Sequence, residues 1–402
     1  MTVTFLCQLF YPELISTGLT LTELAEEMVK QGQRVSVICA QPTLVDQKTK
    51  IPSTLTHRGI TIKRLPATRF AKKFFWGKLI NHITFFVSAL LACLKLPKYS
   101  QLVLLTNPPI LPFIMLLLYP IKKFKYTILV FDVYPNTAVA AGLLHKKHPI
   151  VALWKRFNTW VYSKAHAVIC IGDCMATILR DDYNHHLTTK LHTLSIWCDD
   201  HAIRTNKGAF NFKETWDLTD KFIVGYAGNL ARFHDIESII YAAEQLQHYH
   251  DIVFLFVGEG HKKDWAKAYA EKNKLTNCIF KTYVKRKHLG ALLHQFDLGL
   301  VSLESSQTGL SVPSKTLGLM AAGCPILAIM DEYSTIAKMV TAHTMGYVCK
   351  PQSPEIVAEI IEHAHKNASE LTQFGKNSYT VMQEKYNLTL TTAQFLNILS
   401  SP

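Results

Sequence analysis

The chain has 402 residues, 49% of them hydrophobic and 18% charged, with a net charge of +13. That length exceeds one ordinary core and suits two domains of roughly 150–200 residues each, and the hydrophobic content excludes a disordered chain. Nine scattered cysteines without a C-x-x-C pair exclude a disulfide framework or a zinc knuckle and indicate a reducing compartment.

The opening residues, MTVTFLCQLFYPE, lack a cationic stretch and a small-residue cleavage site, so they read as a first strand, Val3–Leu9, and not as a signal peptide. Further strands are expected at Arg34–Cys39, Ile60–Arg64, Leu102–Thr106, Tyr126–Phe131 and Ala167–Ile171, with helical patterns between several of them, including Leu19–Gln31 and Trp154–Lys164. A polar stretch, Asp199–Asp220, interrupts the pattern as a linker. The alternation resumes with strands at Phe222–Ala227, Ile252–Val257, Ile279–Lys281, Leu298–Ser302 and Pro325–Ile329, and helices between them, the last at Ser314–Ala322. Near-continuous apolar strands joined by amphipathic helices imply parallel sheets covered on both faces. The expected fold is α/β, two Rossmann-like doubly wound domains facing a cleft: residues 1–198, a linker at 199–220, and residues 221–375, followed by a terminal segment, 376–402.

Charge is unevenly distributed along the chain. From Gln47 to Gly172 there are nineteen Lys or Arg and one acidic residue, Asp132, a local charge of +18 against −5 for the remainder. Such a surface needs an anionic partner. The segment Phe70–Lys78 interleaves Lys72, Lys73 and Lys78 with Trp76 and other aromatics, and an apolar helical run, Ile83–Leu94, follows. Rings that enter lipid beside lysines that face headgroup phosphates suit an anionic membrane surface. No recognised nucleic-acid motif accompanies the charge, so no nucleic acid is expected as partner. Leu102–Ile121 is apolar, but Pro108, Pro109 and Pro112 break it, whereas a span needs about 20 uninterrupted residues.

Three turns of the second half are suited to phosphate and base. Gly225-Tyr-Ala-Gly-Asn-Leu-Ala-Arg-Phe-His234 follows a strand directly: Gly228 lets backbone approach a ligand, while Asn229, Arg232 and His234 carry donors. Phe256-Val-Gly-Glu-Gly260, with Glu259, ends the next strand. Pro313-Ser314-Lys315-Thr316 opens a helix whose unpaired amides and dipole favour an anion. Asp132 follows a buried strand within the basic stretch, where neighbouring cations should keep it ionised. It either orients and deprotonates an acceptor hydroxyl or holds the Tyr134-Pro135 turn.

Taken together these segments resemble a GT-B glycosyltransferase, similar to sequence family 4 of retaining enzymes and, within it, to the exopolysaccharide and O-antigen branch that includes colanic-acid fucosyltransferases and N-acetyl-fucosaminyl transferases. The resemblance is carried by Phe10-Tyr-Pro-Glu-Leu-Ile-Ser-Thr-Gly18, Leu105-Thr-Asn-Pro-Pro109, Val130-Phe-Asp-Val-Tyr-Pro135, Tyr226-Ala-Gly-Asn-Leu230, Phe256-Val-Gly-Glu-Gly260, Val312-Pro-Ser-Lys315 and Met320-Ala-Ala-Gly-Cys-Pro325. It implies a nucleotide sugar on the second domain, with its base near Tyr283 and Val284 and its diphosphate held by Asn229, Arg232, Ser314, Lys315 and the helix amides. It further implies that the loop at Thr17 and Gly18 closes over phosphates and acceptor, and that the segment after Gly375 includes a helix crossing back to the first domain. The chain departs from the broad pattern at Asn229, where Arg is usual, at His234, where Lys is usual, and at Leu310 and Gly318, where two glutamates are usual. Histidine is common where Phe131 stands.

The chemistry so implied is transfer of a sugar from a nucleoside-diphosphate sugar to a polyprenyl-diphosphate-linked glycan, in capsule, O-antigen or exopolysaccharide synthesis on the cytoplasmic face of the plasma membrane. Lys315 and Arg232 stabilise the leaving diphosphate. No Asp-x-Asp motif is present, so neither metal nor cofactor is expected. Glu13 and Glu23 flank the Gly18 loop as minor catalytic candidates. Two rivals share these features: a sugar-nucleotide epimerase of the same architecture, and a non-catalytic membrane partner of another transferase.

Overall fold

The computed structural model describes residues 2–13, 17–42, 51–70, 75–187 and 189–401. It contains two compact units: Met1–Ser195 with Leu388–Pro402, and Ile196–Asn387.

The first unit is built on eight strands: β1 (Thr2–Leu6), β2 (Arg34–Ala40), β3 (Thr54–His57), β4 (Ile60–Leu65), β5 (Gln101–Leu105), β6 (Lys125–Val130), β7 (Ala167–Cys170) and β8 (Leu191–Thr193). Their order is β3-β4-β2-β1-β5-β6-β7-β8. All neighbours are parallel except β3 and β4, an edge hairpin closed by Arg58 and Gly59, both at positive φ. A two-residue turn with both φ positive matches the strands' right-handed twist. Central strands such as β5 are buried throughout, as expected for a sheet sandwiched between helix layers.

Leu388–Ser400 completes this unit. It lies against the helix Thr17–Lys30: Phe395 stacks on Phe5 with ring centroids 6.2 Å apart, and Thr389 Oγ1 donates to Glu27 Oε1 at 3.0 Å. The free carbonyls at a helix C-terminus need donors. Gln101 Nε2 supplies one to Leu399 at 2.9 Å and Lys125 Nζ one to Ser401 at 2.8 Å.

A single helix, Phe75–Leu94, covers part of the same unit. Asn81, Phe85, Ala89 and Cys93 are buried on one face, while Trp76, Ile80, Ile83, Val87, Leu91 and Leu94 form a stripe of exposed apolar side chains along the other. The Trp76–Leu94 helix is long and apolar enough to cross a membrane by length and composition. Helix Ile114–Lys122 likewise leaves Leu117 and Ile121 exposed. Lys72 and Lys73 lie outside the described residues.

The second unit carries β9 (Phe222–Ala227), β10 (Ile252–Val257), β11 (Cys278–Lys281), β12 (Leu298–Ser302), β13 (Ile326–Ile329) and β14 (Gly346–Cys349), ordered β11-β10-β9-β12-β13-β14 and parallel throughout. Counted from β9, this is the 3-2-1-4-5-6 order of a doubly wound sheet, whose ligands lie beyond the carboxyl ends at the switch point, here between β9 and β12. The expected linker is corrected. Residues 199–220 fold into helices Asp200–Thr205 and Phe212–Thr215 within this unit, with Ile203 and Phe212 buried. Polar composition hid them because each buries only one or two apolar side chains. The passage to the terminal helix falls at Asn387, after helix Ala368–Val381 and a π-turn, Met382–Tyr386.

Candidate functional site

The turns after β9 and β10 interlock. An added Cβ at Gly258 would lie 1.9 Å from the Gly228 carbonyl oxygen, and one at Gly260 would lie 2.4 Å from that of Leu230. Only glycine allows backbones to approach so closely. The Gly228 amide donates to the Val257 carbonyl and the Leu230 amide to the Glu259 carbonyl, both at 2.9 Å, so the two loops form one rigid ledge.

Helix Lys315–Ala321 starts beside this ledge. Gly323, at φ +65°, caps its far end: its amide donates to Met320 O and the Cys324 amide to Leu319 O, after which Pro325 leads into β13. At the near end Ser314 is exposed and its side chain makes no capping bond. Lys315 turns inward, so that an added Cβ at Gly228 would lie 3.7 Å from its Cε. Its Nζ sits 3.6 Å from the centroid of the Tyr226 ring, buried and without a hydrogen-bond partner among the described residues. Burial holds this amine well below the ordinary lysine range, and no carboxylate offsets the effect.

His234 differs from its expected role as an outward donor. Its Nδ1 lies 2.6 Å from the Tyr226 hydroxyl and 3.0 Å from the Asn229 carbonyl. Burial, reinforced by the nearby Lys315, pushes the imidazole down to about 3, so it is neutral at physiological pH. Thr316 is corrected too: its hydroxyl is fully buried and donates to the Pro313 carbonyl at 2.9 Å, which occupies it within the helix start.

Asn229 and Arg232 are exposed on the outer surface of the ledge. Glu259 pairs with Lys263 Nζ at 2.7 Å, and half-exposed Tyr283 lies near it, with Val284 next in the chain. Gly318 is shielded by Leu293 Cδ1 and Ile203 Cδ1, 3.2 and 3.7 Å from an added Cβ. A glutamate there would meet apolar neighbours.

Two residues escaped the sequence reading. Tyr226 is one: a hydroxyl-bearing side chain in an otherwise apolar strand was its only signal. Lys262 is the other, for its Nζ donates to the His234 carbonyl at 2.8 Å, Glu237 at 2.7 Å and Glu304 at 2.8 Å. Burial alone would lower this lysine, but the two carboxylates hold it above its usual value. Its partners are 25 to 42 residues away in sequence, so no local pattern announces it.

Residues 209–381 match the family model "Glycosyl transferases group 1". The chain is 29% identical to "Probable glycosyltransferase WbjE" of Pseudomonas aeruginosa over 285 residues, 70% of each chain. It is 28% identical to "Putative colanic acid biosynthesis glycosyl transferase WcaI" of Escherichia coli over 150 residues, 37% of each. Among solved structures, HepE of Anabaena in complex with UDP-glucose superposes with a TM-score of 0.72 over 100% of both chains at 14% identity. The chain has the GT-B fold, and its second unit is similar to the group 1 glycosyl transferases.

The remaining candidates lie in the first unit. Asp132 follows β6, with its own amide and that of Phe131 donating to Thr106 Oγ1 at 3.3 and 3.2 Å. The cations expected to keep it ionised do not set its value: burial pushes the carboxyl up to about 6, and Lys78 offsets only part of that. Thr17 and Gly18 open the helix Thr17–Lys30 and are both buried, with an added Cβ at Gly18 falling 2.5 Å from the Glu13 carbonyl. Glu13 and Glu23 are buried beside them.

Proposed function

We propose that the transferase moves a sugar from a nucleoside-diphosphate sugar to a polyprenyl-diphosphate-linked glycan during cell-surface polysaccharide synthesis, with retention of anomeric configuration. The observation that carries this reading is the Lys315 amine, buried beside the Gly228 ledge with nothing to bond. A buried amine without a partner among the described residues, at the switch point of a doubly wound sheet, suits a diphosphate that brings it a negative charge. Arg232 and Asn229 add donors from the exposed surface of the same ledge. The bond from anomeric carbon to phosphate oxygen breaks with its electron pair on the diphosphate, where Lys315 and Arg232 meet the developing charge. The acceptor hydroxyl forms the new bond and gives its proton to Asp132. These cations take the role that a metal fills in other transferases, so activity should survive EDTA.

The donor class is supported by HepE, solved with UDP-glucose, and the pathway class by WcaI, named for colanic acid biosynthesis. Attachment to the inner leaflet is supported by the stripe from Trp76 to Leu94, whose opposite face is buried in protein. A helix with one buried face lies in the interface plane more readily than it spans. The test is to incubate the purified transferase with UDP- and GDP-sugars, with and without membrane extract, and to measure the nucleoside diphosphate released. Release that depends on extract supports transfer to a lipid-linked acceptor; conversion of the donor without extract would replace this reading with an epimerase.

A further inference from the structure

Tyr226 touches three of the groups assigned to the nucleotide. It stands next to last in β9 and is fully buried. Its ring face carries Lys315 Nζ at 3.6 Å. Its hydroxyl donates to the Asn229 carbonyl at 3.0 Å and lies 2.6 Å from His234 Nδ1. Core packing alone does not explain a phenol here. Phenylalanine would fill the same volume among Val224, Leu230, Ile239 and Phe256 without the cost of taking a hydroxyl out of water. The hydroxyl is instead used to tie down the turn that carries Asn229, and the ring to hold an amine that no carboxylate neutralises.

We propose that Tyr226 is a positioning residue of the nucleotide site: its ring keeps the Lys315 amine out of water beside Gly228 until a diphosphate arrives, and its hydroxyl fixes the Asn229–His234 turn on which that diphosphate rests. The proposal depends on reading this turn as the diphosphate site. An aromatic face attracts an ammonium without cancelling its charge. A carboxylate in the same place would have to be displaced by every incoming donor, whereas the ring leaves the amine free to pair with the donor once it is protonated. Among the described residues the titratable groups linked to the amine are Tyr226 and His234, with Lys262 and Tyr283 beyond them, and no carboxylate acts on it. Diphosphate binding therefore favours a proton on Lys315.

Titration calorimetry with UDP and with GDP, in alkaline buffers of unlike ionisation heat at about pH 8–9, reads affinity and proton uptake together. The natural protein should take up as much as one proton per nucleotide. Y226F keeps the ring and loses the hydroxyl: uptake should stay at the natural level while affinity falls roughly 3- to 10-fold. Y226L removes both, so water reaches the amine and protonates it beforehand. Its affinity should fall by more than about tenfold, and its uptake to less than half. A packing role alone would lower the melting temperature of both variants and leave uptake unchanged. Y226M replaces Y226L if the latter does not fold. Natural affinity and uptake in both variants would overturn the role of Tyr226 alone. Failure of the natural protein to bind either nucleotide would overturn the site reading beneath it.

Discussion

Replacing Lys315 with methionine keeps the length of the side chain and removes only the amine, so two effects of opposite sign should separate. A phosphate oxygen about 3 Å from Nζ gains on the order of 5 kcal/mol of Coulomb energy at an effective dielectric near 20. Desolvation consumes part of that, and deleting a charge-assisted hydrogen bond costs about 1.5–3 kcal/mol net, a roughly 10- to 150-fold loss of affinity. Stability should move the other way. The folded amine lies well below its unfolded value because it is buried without a partner. Between those two values the unfolded chain holds a proton that the folded chain lacks, so stability rises with pH across that window and is penalised below it. Methionine removes the penalty, about 1–3 kcal/mol for an unsatisfied buried polar group, and each kcal/mol raises the melting temperature by about 2–4 °C in a domain of this size. The assay is calorimetry with UDP and GDP beside thermal melts at neutral pH. A K315M protein that binds nucleotide as tightly as the natural chain, or melts lower than it, would refute the assignment.

Four further outcomes are expected. D132N should lower turnover by about 10²–10⁴-fold and abolish the acid limb of the pH–rate profile near 6. The same substitution should also stop the loss of stability that a carboxyl raised from 3.8 to about 6 imposes as pH climbs through that window. The I83D/L91D double variant should sediment with anionic vesicles at least about tenfold less, since two half-exposed apolar side chains, worth about 1.5–3 kcal/mol each when fully buried, become charges; its nucleotide affinity should not change. G258A should reduce UDP and GDP affinity sharply, because the new methyl would overlap the Gly228 carbonyl and displace the ledge. E27A should destabilise the protein by about 1–3 kcal/mol and speed hydrogen exchange in Leu388–Ser400. Burial would raise the Glu27 carboxyl, but bonds from Thr389, Gln31 and Lys30 hold it low, so the natural protein loses that stabilisation as pH falls through the depressed value.

Most strands that the sequence announced are apolar and largely buried, the half-exposed edge strand β11 and the alternating β4 being exceptions. The three it hid, β3, β8 and β14, each form the edge of a sheet. Edge strands are short and half-exposed by necessity, so Thr54–His57, Leu191–Thr193 and Gly346–Cys349 show no apolar run to notice. The glycines of the ledge were legible because a turn after an apolar strand constrains its own residue types. Lys262 was not, because its carboxylate partners arrive from other elements.

The ionisable site residues illustrate the same division more sharply, and the reason is one of range. Asp132 sits in a stretch of charge +18, and counting neighbours gives a low carboxyl; its folded environment raises it. Surface cations more than about 10 Å away are screened by salt, whereas desolvation acts at contact distance and depends on which side chains close over the group. Lys315 and His234 follow the same rule, each driven toward its neutral form by burial with no carboxylate to oppose it. A linear charge count weighs all these groups alike, yet only burial separates them from the lysines on the surface. An amine driven toward its neutral form beside an interlocked backbone ledge is poised to gain charge when an anion arrives, so nucleotide affinity should itself depend on pH and weaken in alkali, where protonating Lys315 costs most.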